Sequence, residues 1–431
     1  MPQLQIHEAA PGVTLCVIPA ERFKTSRLVL QMALPLRRGQ ARETAANAML
    51  PFLLHRSCAA YPTPRALDCK LASLYGANLC AGVTKVGESH QLSIALSMLD
   101  DRFALHGEAV SQEGVELLLE LLFHPRLEGG LFPADAVELE KRLLLEKLES
   151  EQGNKRLYAM HRCEELMCDQ EAYGLHALGE AQAIEALTPE DAVQAWRRVL
   201  SQARVQISMV SAAETAGFAA AVRKSFAESA RQPAALGSAF IKSAQEQKFV
   251  REEQPLEQAT LVLGFRAGME HPEDRQYALR LMTDLFGGGP YSKLFLNVRE
   301  KMSLCYYCRA ALVRHKGVLM VASGVDTEKA VTAREAILDQ LAQIGSGCFT
   351  DEELETAKRS MCDEIRCVAD HPESLADWYS SALYCGEFRS PEQVCAGLEA
   401  VTRGEIIEAA RGVSLDTVYL LAAKKGGDAN D

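Results

Sequence analysis

From Gly287 to Tyr306 the chain reads GGGPYSKLFLNVREKMSLCY, the most informative segment of its sequence. Three consecutive glycines are typical of a loop, because glycine accepts backbone angles that other residues avoid. Pro290 and Ser292 are residue types that favour the start of a helix. The pattern therefore predicts a glycine-rich loop, a helix with Arg299 near its end, and a strand that carries Tyr306.

Size and charge limit the classes of protein to consider. The chain has 431 residues, enough for two domains of about 200 residues each. Its content of 48% hydrophobic and 24% charged residues is that of a soluble globular protein. The net charge of −12 is spread along the chain, whereas nucleic acids and anionic membranes attract clustered Lys and Arg. We therefore expect neither nucleic acid nor membrane as a partner.

The N-terminus and the cysteines bear on the compartment. Met1 to Ile6 contains no basic stretch leading into an apolar run, so no secretory signal is expected here. The 13 cysteines are an odd number and are scattered without the regular spacing of a disulfide framework. We expect reduced thiols and a cytoplasmic protein.

The two halves of the chain repeat one order of elements: strand, helix, helix, two strands, helices, strand. In the first half, alternating residues predict a hairpin of Leu79–Val86 with His90–Leu99. Asp326 follows a predicted strand in the second half, as Asp100 does in the first. A repeat of this kind indicates an internal duplication.

The predicted fold class is therefore α+β, with two similar domains that each pack an antiparallel-rich sheet against helices. Residues 226–246 are rich in Ala, Ser, Gln and Gly with little periodicity, which favours a linker. The predicted division is an N-terminal domain over 1–225, a linker over 226–246 and a C-terminal domain over 247–431.

The stretch from Gly287 to Tyr306 resembles the substrate-binding signature of the C-terminal half of the pitrilysin/insulinase family of zinc metallopeptidases. In that signature a loop of small residues precedes the pattern SRLF..LREK..L.Y. Tyr173 to Gly179 and Leu187 to Asp191 resemble a further stretch of the same family. The resemblance covers essentially the whole chain.

The resemblance implies roles for the residues of this stretch. The tyrosine equivalent to Tyr306 donates its hydroxyl to the developing oxyanion, and the arginine equivalent to Arg299 holds a substrate carbonyl. Gly287, Gly288 and Gly289 would form a mobile loop over the substrate. The structural alternative is a surface arginine paired with Glu300 and a strand tyrosine packed on the core.

The family's zinc motif, HxxEH on the first long helix, is missing. Aligned on the turn at residues 56–58, its histidines fall on Ala48 and Phe52 and its catalytic glutamate on Pro51. The third ligand, a glutamate on a later helix, falls on Lys147, whose charge would repel a cation. None of these side chains binds Zn²⁺ or serves as a base. The resemblance thus implies no metal in this chain, with zinc expected only in a partner subunit.

Two other patterns contain residue types that bind metals or carry redox chemistry. One face of a predicted helix carries His161, Glu164, Glu165 and Cys168, so a metal site is geometrically possible, although an amphipathic helix explains the same pattern. Cys305 and Cys308 form a C-x-x-C in a predicted strand. Side chains three apart in a regular strand point to opposite faces, so joint metal or redox chemistry is not expected.

Short bacterial members of the resembled family form chambers from two such chains, and some pairs divide the labour between them. The resemblance implies a non-catalytic, peptide-binding subunit, inactive alone, that supplies Arg299 and Tyr306 to a zinc-bearing homologous partner. The alternative is a purely structural or peptide-binding module, as a homodimer or scaffold subunit, without a role in proteolysis. A third reading is an independent enzyme that uses the His161 cluster.

Overall fold

The computed structural model describes residues 4–212, 216–227 and 229–424 and forms two compact units. The first unit contains the chain up to Leu148, Leu175–Gly237 and Cys367–Arg389. The second contains Glu149–Gly174, Ser238–Arg366 and the chain from Ser390 onward. Each unit therefore contains one segment from the opposite half of the sequence: Cys367–Arg389 in the first unit and Glu149–Gly174 in the second. The predicted division into two continuous domains does not include these exchanged segments.

The first unit has a six-stranded sheet in the order β1-β2-β6-β3-β5-β4. Strands β2 and β6 are parallel, and the other neighbours are antiparallel. The predicted hairpin is β4 and β5, which turn through Gly87 with φ of +54°. The bounds are β1 Gln5–Ala10, β2 Val13–Pro19, β3 Thr25–Pro35, β4 Asn78–Val86, β5 Ser89–Leu99 and β6 Arg204–Ser211.

The second unit repeats this arrangement in a five-stranded sheet, β7-β11-β8-β10-β9. Strands β7 and β11 are parallel, as β2 and β6 are, and the remaining pairs are antiparallel. Asp100 after β5 and Asp326 after β10 each precede a 3₁₀ turn. The predicted α+β fold with an internal duplication is confirmed. The bounds are β7 Lys248–Gln254, β8 Ala259–Arg266, β9 Cys305–Val313, β10 Val318–Val325 and β11 Ser414–Ala423.

Helices cover both sheets, and several begin at capping residues that are visible in the sequence. Helix α7 starts at Pro189 after a capping box of Thr188 with Asp191. No helix in the described part of the chain combines the length and apolarity needed to cross a membrane. The bounds are α1 Ala41–Leu54, α2 Pro64–Ser73, α3 Val110–Phe123, α4 Ala134–Gly153, α5 Lys155–Met167, α6 Ala181–Glu185, α7 Pro189–Gln202, α8 Ala216–Ala227, α9 Gln276–Gly287, α10 Ala330–Gly345, α11 Asp351–Cys367, α12 Pro372–Ser380, α13 Ala382–Cys385, α14 Pro391–Glu399 and α15 Arg403–Gly412.

The exchanged segments are held by apolar contacts. In the second unit, α5 packs on β8 and β11, and its Cys163 and Met167 join Val262, Met320 and Tyr419 in one buried cluster. In the first unit, α12 packs on β3 and β6. The periodicity of α5 predicts a helix with an apolar face, but it does not indicate which of two similar sheets covers that face.

A cluster of four buried charges fixes α5 and the turn after it to the second sheet. Arg266 on β8 pairs with Asp416 on β11 at 2.7 Å and with Glu171, after α5, at 2.8 Å. Lys316, fully buried before β10, pairs with Glu171 at 2.5 Å. Burial raises the pKa of Glu171, but hydrogen bonds from Arg266 and Lys316 outweigh it and hold that pKa below its ordinary value. Two cations thus balance two carboxylates in the interior.

We expect Arg266→Met to destabilise the second unit by about 3–5 kcal/mol, because it leaves buried carboxylate charge without its partner. The measurement is the free energy of unfolding in denaturant. Arg251→Met is the matched control: this exposed arginine pairs with Glu253 at the surface and should contribute at most about 1 kcal/mol. Equal effects of the two substitutions would contradict a structural role for the buried cluster.

Candidate functional site

The three glycines stand at the end of α9, and two of them are required by close packing. A Cβ on Gly287 would lie 2.7 Å from the Ala310 backbone nitrogen, and one on Gly288 would lie 2.0 Å from an Asp284 carboxylate oxygen. The Tyr291 hydroxyl donates to the same carboxylate at 2.6 Å. Packing therefore accounts for these glycines, and a role of this loop over a substrate stays a prediction.

The segment that carries Arg299, Leu294–Lys301, is π-helical rather than α-helical. Its last turn closes with a bond from the Met302 N–H to the Asn297 carbonyl, five residues back, at 2.9 Å. The Arg299 guanidinium lies over the Phe295 ring, 4.5 Å from its centroid, and 3.4 Å from the Glu300 carboxylate. Its side chain is 38% exposed, so the cation is oriented by an aromatic face but still reaches solvent.

Tyr306 is the second residue of β9, which is the edge strand of its sheet and, within the part of the chain that the structure describes, pairs with β10 alone. The side chain is 61% exposed. Its hydroxyl donates to an Asp326 carboxylate oxygen at 3.1 Å, and Lys329 pairs with the same carboxylate at 2.9 Å. Hydrogen bonds from Lys329 and then Tyr306 lower the pKa of Asp326. The repeat marks Asp326 in the sequence, but its contact with Tyr306 depends on the strand pairing and could not be read there.

A β-bulge interrupts β9 at Tyr306. Cys305 pairs with Val325 and Tyr307 with Gly324, so Tyr306 has no partner on β10. An extra residue reverses the alternation of side chains. Cys305 and Cys308 consequently lie on one buried face and share a hydrogen bond. The expectation that these two side chains point to opposite faces is wrong, because it assumed a regular strand.

The positions aligned with the zinc ligands lie in the first unit, and two of them are in contact. The Lys147 ammonium lies 5.6 Å from the centroid of the Phe52 ring, an arrangement of a cation over an aromatic face. Ala48 and Pro51 are buried in α1. These four side chains offer no ligand atom suited to Zn²⁺. The residues present therefore do not fit a catalytic zinc site.

Glu140, a buried carboxylate of the same unit, is already neutralised. Glu140 is 2% exposed and forms an ion pair with Arg56, just beyond α1. His55 places its Nδ1 2.7 Å from the Phe52 carbonyl oxygen, and burial lowers the pKa of this imidazole. An arginine cation at this point opposes binding of a second cation, which agrees with the loss of the ligands.

The His161 helix is α5, and its two glutamates have partners within the second unit. Glu165 pairs with Arg162, and Glu164 accepts a hydrogen bond from the buried Tyr173 hydroxyl. Cys168 is fully buried, and burial raises its pKa. These contacts are those of an amphipathic helix with a satisfied polar side.

Comparison with known proteins shows which family this chain is similar to. The profile described as "Peptidase M16 inactive domain" matches residues 186–361. A protein of Bacillus subtilis strain 168 described as "Probable inactive metalloprotease YmfF" is 29% identical over 416 residues, which cover 96% of this chain and 97% of that protein.

Solved structures agree over the full length. A conserved protein of Enterococcus faecalis V583 superposes with a TM-score of 0.86 at 27% identity, covering 99% of this chain and all of the other. A structure from Pseudomonas fluorescens described as a peptidase M16 inactive domain has a TM-score of 0.80 at 18% identity, covers 99% of each chain, and shows the shared fold. These comparisons confirm the resemblance to the M16 peptidases, the pitrilysin/insulinase-like family, and to members described as inactive; this chain lacks the family's HxxEH motif.

Proposed function

We propose that this chain is a peptide-binding subunit that acts with a zinc-bearing homologous chain and supplies Arg299 and Tyr306 to a peptide held between them. The observation that carries the proposal is the display of two hydrogen-bond donors from one short segment. The guanidinium of Arg299 and the phenol of Tyr306 both reach solvent. Groups of these kinds stabilise the carbonyl oxygen of a peptide as negative charge develops on it.

The edge strand β9 supports binding of an extended peptide. One side of β9 pairs with β10, and no strand among the described residues pairs with its other side. Backbone groups on such an edge bind an extended chain through hydrogen bonds that do not depend on its sequence. Tyr306 projects at the start of this strand, so the added peptide would pass beside its hydroxyl.

A partner is part of the proposal because this chain lacks its own zinc ligands. Ala48, Pro51, Phe52 and Lys147 cannot supply metal chemistry, whereas a homologue with an intact HxxEH motif can. The cytoplasm is the compartment we infer, since the cysteines that the structure describes are free thiols.

In a mixture with a homologue that carries the HxxEH motif, we expect Arg299→Ala and Tyr306→Phe each to lower peptide turnover by about 10²–10³-fold, the usual effect of removing one oxyanion donor. The measurement is cleavage of an unstructured peptide, with separate kcat and KM. The matched controls are Arg366→Ala and Tyr75→Phe, which alter an exposed arginine and an exposed tyrosine elsewhere on the chain. Unchanged turnover for both test variants would refute the assistance in trans.

A second expectation concerns metal. The native chain should retain no zinc after desalting, whereas Ala48→His, Pro51→Glu, Phe52→His and Lys147→Glu together should retain about one ion, since they recreate the ligand set. The control keeps the first three substitutions but carries Lys147→Gln, and it should bind zinc more weakly. Circular dichroism checks that the fourfold variant is folded. If the folded variant holds no more zinc than the native chain, the four aligned positions do not come together at one metal site.

The alternative function is a scaffold or peptide-binding homodimer without a part in proteolysis. One observation favours it: the Tyr306 hydroxyl is bonded to Asp326 and the Arg299 cation lies by Glu300, so both groups have partners within this chain. Peptide binding by the chain alone, together with no turnover in any mixture, would be the result expected from this alternative.

A further inference from the structure

The bulge at Tyr306 brings two thiols together in a way that the sequence pattern conceals. Cys305 is opposite Val325 and Cys308 is opposite Ser323, so three steps along β9 match only two steps along β10. Two steps of an antiparallel strand span about 6.8 Å. That separation lies at the upper end of the Cα–Cα range bridged by disulfides, about 4.4–6.8 Å, whereas three extended steps would exceed it.

The surroundings of the pair activate one of the two thiols. The hydrogen bond from Cys308 lowers the pKa of Cys305 to about 7 against the opposing effect of burial, with help from Ser323 and from the charge of Arg299. The pKa of Cys308 is raised, since its proton is held by Cys305 and it is buried. An attacking thiolate beside a protonated second thiol is the arrangement found in reactive C-x-x-C motifs.

A second cysteine pair in the same unit shows that proximity alone does not produce this state. The Cys362 thiol lies 3.9 Å from the Cys395 carbonyl oxygen, and the Cys395 thiol lies 3.7 Å from the Cys362 carbonyl oxygen. Burial, followed by the hydrogen bond with Cys395, raises the pKa of Cys362 to about 11. The charge of Arg366 opposes this rise in the pKa of Cys362, but burial and the hydrogen bond with Cys395 outweigh it.

We propose that Cys305 and Cys308 form a redox-active dithiol site that hydrogen peroxide, or another small peroxide, converts into an intramolecular disulfide. The Cys305 thiolate attacks one peroxide oxygen, the O–O bond breaks, and a sulfenic acid forms as the departing hydroxide takes up a proton to become water. The Cys308 sulfur then attacks the Cys305 sulfur, and the sulfenic oxygen leaves as a second water. One peroxide is reduced to two waters while two thiols lose two electrons and two protons.

Oxidation of these two thiols would affect the surroundings of Tyr306 and Arg299. The thiols flank Tyr306 in sequence and lie under the bulge that exposes it. A disulfide would fix this bulge and would remove the thiolate beside the Arg299 cation. The proposal concerns chemistry of this chain's own cysteines and holds whether or not Arg299 and Tyr306 assist a partner.

Trypsin offers a direct test, because cleavage after Lys301 and Arg309 releases Met302–Arg309 with both cysteines and no other. The native chain is treated with hydrogen peroxide, its remaining thiols are alkylated, and the digest is analysed by mass spectrometry. We expect this peptide to become lighter by two hydrogen atoms, to escape alkylation, and to recover both thiols with dithiothreitol. Methionine oxidation adds oxygen instead and is distinguished by mass.

The Cys362–Cys395 pair is the internal control in the same sample. The pKa of Cys305 is lowered and that of Cys362 is raised, so a larger fraction of Cys305 is thiolate at neutral pH. Because this gain exceeds the accompanying loss of nucleophilicity, Cys305 should react faster than either cysteine of the control pair. Cys308→Ser should stop at a sulfenic acid on Cys305 that dimedone traps, and Cys305→Ser should give no trapped product in this peptide.

Three results would overturn the proposal: full alkylation of Met302–Arg309 when the exposed Cys348 is already oxidised, equal rates for the two pairs, or equal trapping in the two serine variants. Circular dichroism of the serine variants separates a loss of chemistry from a loss of fold. If Met302–Arg309 of the native chain stays reduced while Cys348 is oxidised, the proposal is refuted without any substitution.

Discussion

The second unit depends on the neutralisation of charge in its interior. Arg266 and Lys316 are buried with Glu171 and Asp416, and removing any one of the four leaves an imbalance that water cannot screen. Arg266 also donates to the Met167 carbonyl at 3.0 Å, at the end of α5. The cluster therefore forms only when β8, β11, the turn before β10 and the exchanged segment are all in place. The apolar contacts of α5 bury hydrophobic surface, whereas these ion pairs determine the position at which α5 packs on the sheet.

Much of the fold could be predicted because its signals are local. The hairpin at Gly87 and the cap at Thr188 depend on residues within a few positions of each other. The repeat of element order is present in the linear pattern and reappears as the same strand order in both sheets. The exchange of α5 and α12 was not predictable, since either of two similar sheets could cover an amphipathic helix.

In the candidate site, too, features that depend on local spacing could be predicted, whereas features that depend on strand pairing could not. Aligning the degenerate zinc positions required only spacing, and the structure brings Phe52 and Lys147 into contact across α1 and α4. The partner of Tyr306, the Asp326 carboxylate, and the contact between Cys305 and Cys308 required the register of β9 against β10. A single extra residue sets that register, and period-two reasoning assigns every side chain before it to the wrong face.

The side chains at the positions aligned with the zinc ligands pack against neighbouring residues and leave no empty metal site. Lys147 lies over the Phe52 ring, and Glu140 is held by Arg56 in the same unit. Ala48 and Pro51 are buried within α1. Each departure from the metal-binding pattern is thus accommodated by packing or charge pairing, which keeps the scaffold while removing the chemistry.

One irregularity in β9 produces both features that distinguish the second unit. The bulge turns Tyr306 outward to solvent and Asp326, and it turns Cys305 and Cys308 inward together. Gly324 opposite the bulge permits this, since a Cβ there would lie 2.5 Å from the Tyr307 ring. A regular strand would lose the exposed phenol and separate the thiols at the same time. The exposed phenol and the paired thiols therefore share one structural cause.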